Sequence, residues 1–311
     1  MNKLIKILSV SMLAVMLLTS CTGNSEKPDD STTTTTTTEE QEKPTVSYLE
    51  NYDENAEITI SYNGETATGN ASAELETSAA LKTGKKIEIT IPEGQHFIAV
   101  TIAKGTLDES IVYVENGKFE YKIGSFARAY PAMNGAVTIS ARIPTLEELK
   151  KTHNLALNTC DLVNAKTVFP HATTTNVHNN DAEWAARNLI DGFTQNNGHG
   201  EYPYQSWGPG STVSRTDNVA IDFGHDVFVQ QLVIYIRADF PHDGYWDECR
   251  VTFSDGTYQD ITLEKTAKGQ KITIDGGVTT SSLKFSRFNK ASDSTGDWCA
   301  WMELQVMGYE I

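Results

Sequence analysis

Residues 219–235 read VAIDFGHDVFVQQLVIY, and the fold turns on how this stretch is read. Val219, Ile221 and Phe223 fall on alternate positions. That is the period-two pattern of a strand with one buried face. Leu232, Ile234 and Ile236 repeat it after a short interruption. Outward from this pair, the alternation recurs at Val251/Phe253, Ile261/Leu263, Ile272/Ile274, Leu283/Phe285 and Met302/Leu304/Val306. Asp255-Gly256 in FSDGTY is a hairpin turn signal, because Gly accepts positive φ without steric cost. The helical stretch among them is short: DAEWAARNLIDG, capped by Asp181 and stopped at Gly192. Many strands without a long helical period predict a β-sandwich of jelly-roll type over 153–311. A unit of this size buries roughly 70% of the surface of its unfolded chain.

Residues 45–144 predict a second, smaller β-sandwich, immunoglobulin-like, so the whole chain is expected to be all-β. Ile58/Ile60/Tyr62, Ile87/Ile89/Ile91, Phe119/Tyr121/Ile123 and Val137/Ile139 alternate with polar residues. YVENGKFEY reads as a hairpin whose Asn116-Gly117 would take the positive φ angles of a type I′ turn. No cluster of reactive residues appears here, so a spacer or support role is expected. PTLEELKK follows, with Thr145 and Glu148 at capping-box spacing. Residues 145–152 are therefore expected to be a short helical connector.

The amino terminus sets the expected compartment. Lys3 and Lys6 precede an apolar run from Ile7 to Leu18, too short to span a bilayer as a mature helix. It has the form of a secretory signal over 1–20. The run ends in LTSC, which resembles a bacterial lipobox with diacylglycerol on Cys21. On that reading the protein is extracytoplasmic and lipid-anchored to the bacterial cell membrane. The other reading is an ordinary signal peptide with Cys21 incidental. Residues 21–44 are a Thr-rich linker without aromatic or branched aliphatic residues, expected to be disordered. As a flexible coil it spans roughly 25–30 Å.

Charge and cysteine usage narrow the partners. Asp and Glu outnumber Lys and Arg by 41 to 25, a net charge of −16. That excess argues against nucleic acid, whose binding rests on phosphate neutralisation, and against a basic patch on anionic lipid. Cys160, Cys249 and Cys299 have no zinc-motif spacing. They read as buried small apolar residues, or as one disulfide plus a free thiol, with Cys160–Cys299 the first pair to test.

Four stretches taken in order give a family resemblance: NLALN, AARNLIDG, VAIDFGHDVFVQQLVIY and WCAWMELQVMGYE. Residues 153–311 resemble the discoidin, or coagulation factor 5/8 type C, family of galactose-binding-like domains. The resemblance covers about half the chain. It implies an eight-stranded sandwich that binds ligand through loops at one end and often holds a structural calcium. On bacterial surface proteins such domains are often carbohydrate-binding modules. This chain departs from the pattern at FTQNNGHGEYPYQS, an insertion between Asp191-Gly192 and Trp207.

By the same resemblance, Asp191, Thr194 and Glu303 would supply calcium oxygens, with Asn196 added by the insertion. Calcium takes six to eight such oxygens. The other reading makes Asp191 the cap of an Asp-Gly turn and Glu303 an exposed strand residue. Sugar recognition needs an aromatic ring for the C–H face of a pyranose and charged or amide groups for its hydroxyls. RADFPHDGYWD after the central strand has that mix: Arg237, Asp239, His242, Asp243, Tyr245 and Trp246. Tyr204 and Trp298 come from two further loops. Trp207 and Trp301 read as core. Arg237 and Asp239 read equally as a salt bridge that stiffens the corner.

No catalytic constellation stands out. Asp239, Asp243 and Asp247 would share a face only on a helix, and Pro241 and Gly244 oppose one. There is no GxSxG elbow or HExxH motif, and His171, His178, His199 and His242 are scattered. The expected function is a non-catalytic surface lipoprotein that binds glycan. A protein- or matrix-binding adhesin of the same fold is the alternative, since fold does not fix ligand. An enzyme acting on polysaccharide is the third reading.

Overall fold

A computed structural model describes residues 47–124, 134–195, 205–211, 213, 216–237 and 244–311. Eight short strands come first: β1 (Glu57–Tyr62), β2 (Glu65–Asn70), β3 (Ser72–Glu76), β4 (Lys86–Thr90), β5 (Phe97–Thr101), β6 (Ser110–Val114), β7 (Lys118–Lys122) and β8 (Thr138–Arg142). The short helix α1 (Leu146–Lys150) follows. Then come β9 (His153–Asn154), β10 (Val168–Phe169), β11 (His171–Thr174), β12 (Val219–Ile236), β13 (Trp246–Phe253), β14 (Tyr258–Thr262), β15 (Gln270–Lys290) and β16 (Trp301–Glu310).

The first eight strands form two antiparallel sheets, ordered β2-β1-β4-β7 and β6-β5-β8-β3, with β10 added beside β6. The apolar half of each alternating strand faces the other sheet. Ile58, Ile60, Ile87 and Ile89 of one sheet share a core with Ile98, Val100, Val112 and Ile139 of the other. Each is fully buried, worth about 1.5–3 kcal/mol relative to exposure.

YVENGKFEY is not a hairpin. β6 pairs with β5 and β10, while β7 pairs with β4. The turn therefore crosses from one sheet to the other. Gly117 has φ +63°, but Asn116 is not left-handed, as a type I′ turn would need. Glycine is needed for close approach: its carbonyl accepts from Ile91 N at 2.9 Å, and a Cβ would lie 2.8 Å from the Ile91 carbonyl oxygen.

The remaining strands build a sheet ordered β14-β13-β15-β12-β16-β9, with β11 also on β12. Its long strands bend at bulges. β12 shifts register against β15 between Asp222 and Val227, where Gly224 takes φ +73°. The bends wrap these strands around a core that includes Trp207, Phe285, Trp301 and Leu304. The architecture is thus all-β, of sandwich-like antiparallel sheets, as the alternation predicts. The FSDGTY turn joins β13 to β14 as expected, with Gly256 at φ +87°.

DAEWAARNLIDG differs from its expected helix. It forms two 3₁₀ turns, Ala182–Trp184 and Ala186–Leu189, parted by Ala185 at ψ 155°. The Asp181 cap is present, its side chain accepting from Glu183 N. The capping box at Thr145 and Glu148 is also complete.

The described residues pack as one compact unit. β10 carries Val168 and Phe169 into register with Val114 and Tyr113. His225 stacks on Tyr113 at 4.4 Å between ring centroids, and its Nε2 lies 2.5 Å from Glu310 Oε2. All three described cysteines are free and buried. Cys160 belongs to the first core and Cys299 to the second, so the Cys160–Cys299 disulfide is not formed.

Candidate functional site

At one end of the β12–β16 layer, three chain segments enclose a cleft of about 490 Å³. The first holds His178 to Trp184, the second Gly208 and Gly210, and the third Trp298 to Ala300. Arg237, just past the end of β12, closes the cleft.

Backbone pairing fixes these segments. Trp207 and Trp301 exchange two hydrogen bonds of 2.9 and 3.1 Å. Next to them, Arg237 N donates to the Ala300 carbonyl at 2.9 Å, and His178 N to the Gly208 carbonyl at 3.0 Å. Asn179 and Asn180 both take φ +53°, a left-handed conformation that Asn tolerates better than most residues. The chain thereby reverses and presents the His178 ring. Gly210 makes room for that ring: at φ +89°, a Cβ there would sit 2.9 Å from His178 Nδ1.

The side chains converge as follows. Trp298 is 45% exposed. His178 stands against it at 4.7 Å and 89°, an edge-to-face contact worth about 0.5–1.5 kcal/mol beyond area burial. The same imidazole contacts Trp184 at 6.2 Å and 73°. Asn179 Nδ2 donates to His178 Nε2 at 3.0 Å, which leaves Nδ1 to carry the proton in the neutral ring. Arg237 is buried, with its guanidinium carbon 5.7 Å from the Trp184 ring centroid. Burial pushes the Cys299 thiol up to about 11, so it lines the cleft as a small apolar group and not as a nucleophile. The arrangement offers an open aromatic face beside a planar donor, an imidazole and the exposed Asp181.

Of the residues expected to contact ligand, the structure brings Arg237 and Trp298 into this cleft. It removes two others. Trp246 is a core residue, 2% exposed, packed 4.7 Å from Phe288 and 5.5 Å from Trp207. Bulges where β13 meets β15 let Trp246 and Cys249 both point inward, despite their odd spacing. Tyr245 is buried too, and its hydroxyl donates to Asp293 Oδ1 at 2.9 Å. It braces the loop that leads to Trp298 and offers no ring face. Tyr204, Asp239, His242 and Asp243 lie outside the described residues, as do Asn196 and Cys21. Sequence reasoning passed over His178 and Trp184. Their signal is HNNDAEW, a His before two turn-forming Asn residues and a capped Trp.

A second constellation lies around Asp191 and Glu303, buried at 3% and 0% exposure. Glu303 is therefore not an exposed strand residue. Glu303 stays in register opposite Tyr235, on the face away from Leu304, and the Asp191–Phe193 loop covers it there. Glu303 Oε2 accepts from Gly192 N at 3.2 Å, and Asp191 Oδ1 from Phe193 N at 3.0 Å. The other oxygen of each, Asp191 Oδ2 and Glu303 Oε1, is buried without a hydrogen-bond partner. Burial pushes the Asp191 carboxyl up to about 8. Burial, and then the neighbouring Asp191, hold Glu303 well above its usual range. Two unpartnered oxygens on adjacent carboxylates fit a hard divalent cation. Thr194 follows on the same loop, half-buried.

No family model matches the chain, and no curated protein matches it. Among solved structures, it is similar to the family 32 carbohydrate-binding module of Clostridium perfringens NanJ in complex with galactose. That match has 16% identity and a TM-score of 0.34, covering 44% of this chain and 91% of that one. It is also similar to the Streptococcus pneumoniae fucose-binding module SpX-3, at 14% identity and a TM-score of 0.36, covering 50% and 98%. A third is Clostridium perfringens CpGH89CBM32-4 in complex with GlcNAc-α-1,4-galactose, at 17% identity and a TM-score of 0.36, covering 51% and 95%.

Proposed function

We propose that this protein is a non-catalytic surface lipoprotein whose discoidin-like sandwich binds carbohydrate in the cleft formed by Trp298, His178 and Arg237. One observation carries the reading: Trp298 keeps 45% of its surface exposed while His178 braces it edge-on beside the buried Arg237. The C–H face of a pyranose fits an indole held open in this way. Arg237 supplies planar donors for vicinal hydroxyls, and Asp181 supplies an acceptor. The net charge of −16 favours an uncharged glycan over an anionic one. Asp239, His242, Asp243 and Tyr204 are proposed as further contacts on their sequence positions alone.

Asp191 and Glu303, with Thr194 and Asn196, are proposed to hold a structural calcium; their unpartnered oxygens support this. The lipobox-like LTSC supports lipidation of Cys21 and an extracytoplasmic, membrane-anchored location. A glycan array probed with the full chain tests the binding role. Retention of a neutral glycan, lost in Trp298→Ala, is the expected result. A silent array together with capture of a matrix protein would turn the reading to an adhesin, and turnover of a polysaccharide would turn it to an enzyme.

A further inference from the structure

The Asp191–Glu303 pair sits where the strands before α1 meet those after it. Asp108, between β5 and β6, reaches this place. A Cβ on Gly192 would lie 3.4 Å from Asp108 Oδ2, and Gly192 N is itself bonded to Glu303 Oε2 at 3.2 Å. The Asp108 segment is held there by a relay of hydrogen bonds. Thr159 Oγ1 donates to the Asp108 carbonyl at 3.3 Å, and Thr159 N to Ser110 Oγ at 3.0 Å. Asn158 N then donates to the Ile190 carbonyl at 2.7 Å, next to Asp191. Asp108 is exposed, so its carboxylate stands at the mouth while Asp191 and Glu303 lie within.

From this we infer that Asp108 is an outer ligand of the cation held by Asp191 and Glu303, and that the bound ion fastens the β1–β8 sandwich to the β12–β16 layer. The inference rests on reading Asp191 and Glu303 as a calcium pair. The geometry supports it: Asp191 Oδ2 and Glu303 Oε1 are buried and unpartnered, so the site has oxygens to spare. Among the described residues no three acidic, His or Cys groups already converge on one point. Like charges repel across such a gap, and an ion would draw the outer carboxylate in. Calcium accepts both direct and water-bridged oxygens, so an exposed Asp at the mouth suits it.

Calcium titration of the chelator-stripped full chain, followed by calorimetry and by hydrogen exchange, tests this. Asp108→Asn is expected to weaken calcium affinity about tenfold, or about 1.4 kcal/mol. It should also abolish a calcium-dependent slowing of exchange at residues 107–110. Glu109→Gln removes the neighbouring charge, which pairs with Arg142, and is expected to leave calcium affinity unchanged. Wild-type affinity and exchange in Asp108→Asn would overturn the outer-ligand role while leaving the inner pair intact. A wild-type chain that binds no calcium would overturn both.

Discussion

Gly210→Ala is the sharpest probe of how the cleft is built. Two effects combine at this position. The backbone has φ +89°, beyond the left-handed region that side chains tolerate, so alanine there costs about 1–2 kcal/mol. The new methyl group would also lie 2.9 Å from His178 Nδ1. The imidazole must then move and lose its 4.7 Å edge-on contact with Trp298. That contact is worth about 0.5–1.5 kcal/mol, which corresponds to about 2–10-fold in glycan affinity. Gly256→Ala provides the control. It has nearly the same φ, +87°, but nothing within 4 Å of its Cβ, and it lies in the β13–β14 turn. Urea denaturation should show a loss for both variants, larger for Gly210→Ala by the displaced His178 contact, while titration with a bound glycan should show weakened binding for Gly210→Ala alone. If Gly210→Ala binds as tightly as Gly256→Ala, His178 does not position Trp298 and the reasoning fails.

Other outcomes follow from the same geometry. Trp246→Ala removes a ring packed among Trp207, Phe288 and Trp301, so the fold should lose about 3–5 kcal/mol in chemical denaturation while the folded fraction still binds glycan. Thr145→Ala breaks the capping box of α1, which buries Leu149, and should cost about 1 kcal/mol by the same assay. In chelator, the raised carboxyls of Asp191 and Glu303 favour the protonated fold. Their contribution should therefore be complete below the ordinary carboxylate range, and stability should fall, by at most about 1.4 kcal/mol per pH unit for Asp191, as pH rises from there towards 8. Calcium should reverse that fall, and a flat profile from pH 4 to 8 would contradict the burial of these groups.

Alternation of apolar residues revealed β1, β4, β7, β8 and the long strands, but not β5, which is buried on both faces, or the short β9–β11. Val219, Ile221, Phe223, Leu232 and Ile234 are all buried on β12, as their spacing implies. Pairing was less legible. Asn116-Gly117 has the local chemistry of a hairpin, but β7 finds its partner in β4, where Phe119 and Tyr121 meet Ile89 and Ile87. Long-range burial decided the register over turn propensity. The site was half legible for a similar reason. Arg237 and Trp298 carry the right chemistry and reach the cleft. Trp246 has the same chemistry, yet a bulge points it inward, and no period-two reading registers a bulge. His178 reads in sequence as one of several scattered histidines, because its role depends on two left-handed asparagines and on Gly210, more than thirty residues away. Glu303 was legible by resemblance alone, since it alternates as an outward-facing residue and is buried by the distant Asp191–Phe193 loop.

The central claim is that the Trp298 face binds carbohydrate. Trp298 is 45% exposed, and an aromatic side chain of its class carries about 150–250 Å². Covering the exposed part at about 25 cal/mol per Å² gives about 2–3 kcal/mol. Isothermal titration of an array-identified glycan into wild type and Trp298→Ala measures this directly. The expected result is a loss of affinity of about 30–150-fold (about 2–3 kcal/mol), with a small fall in melting temperature from the lost His178 contact. Equal affinity in the two proteins would contradict it.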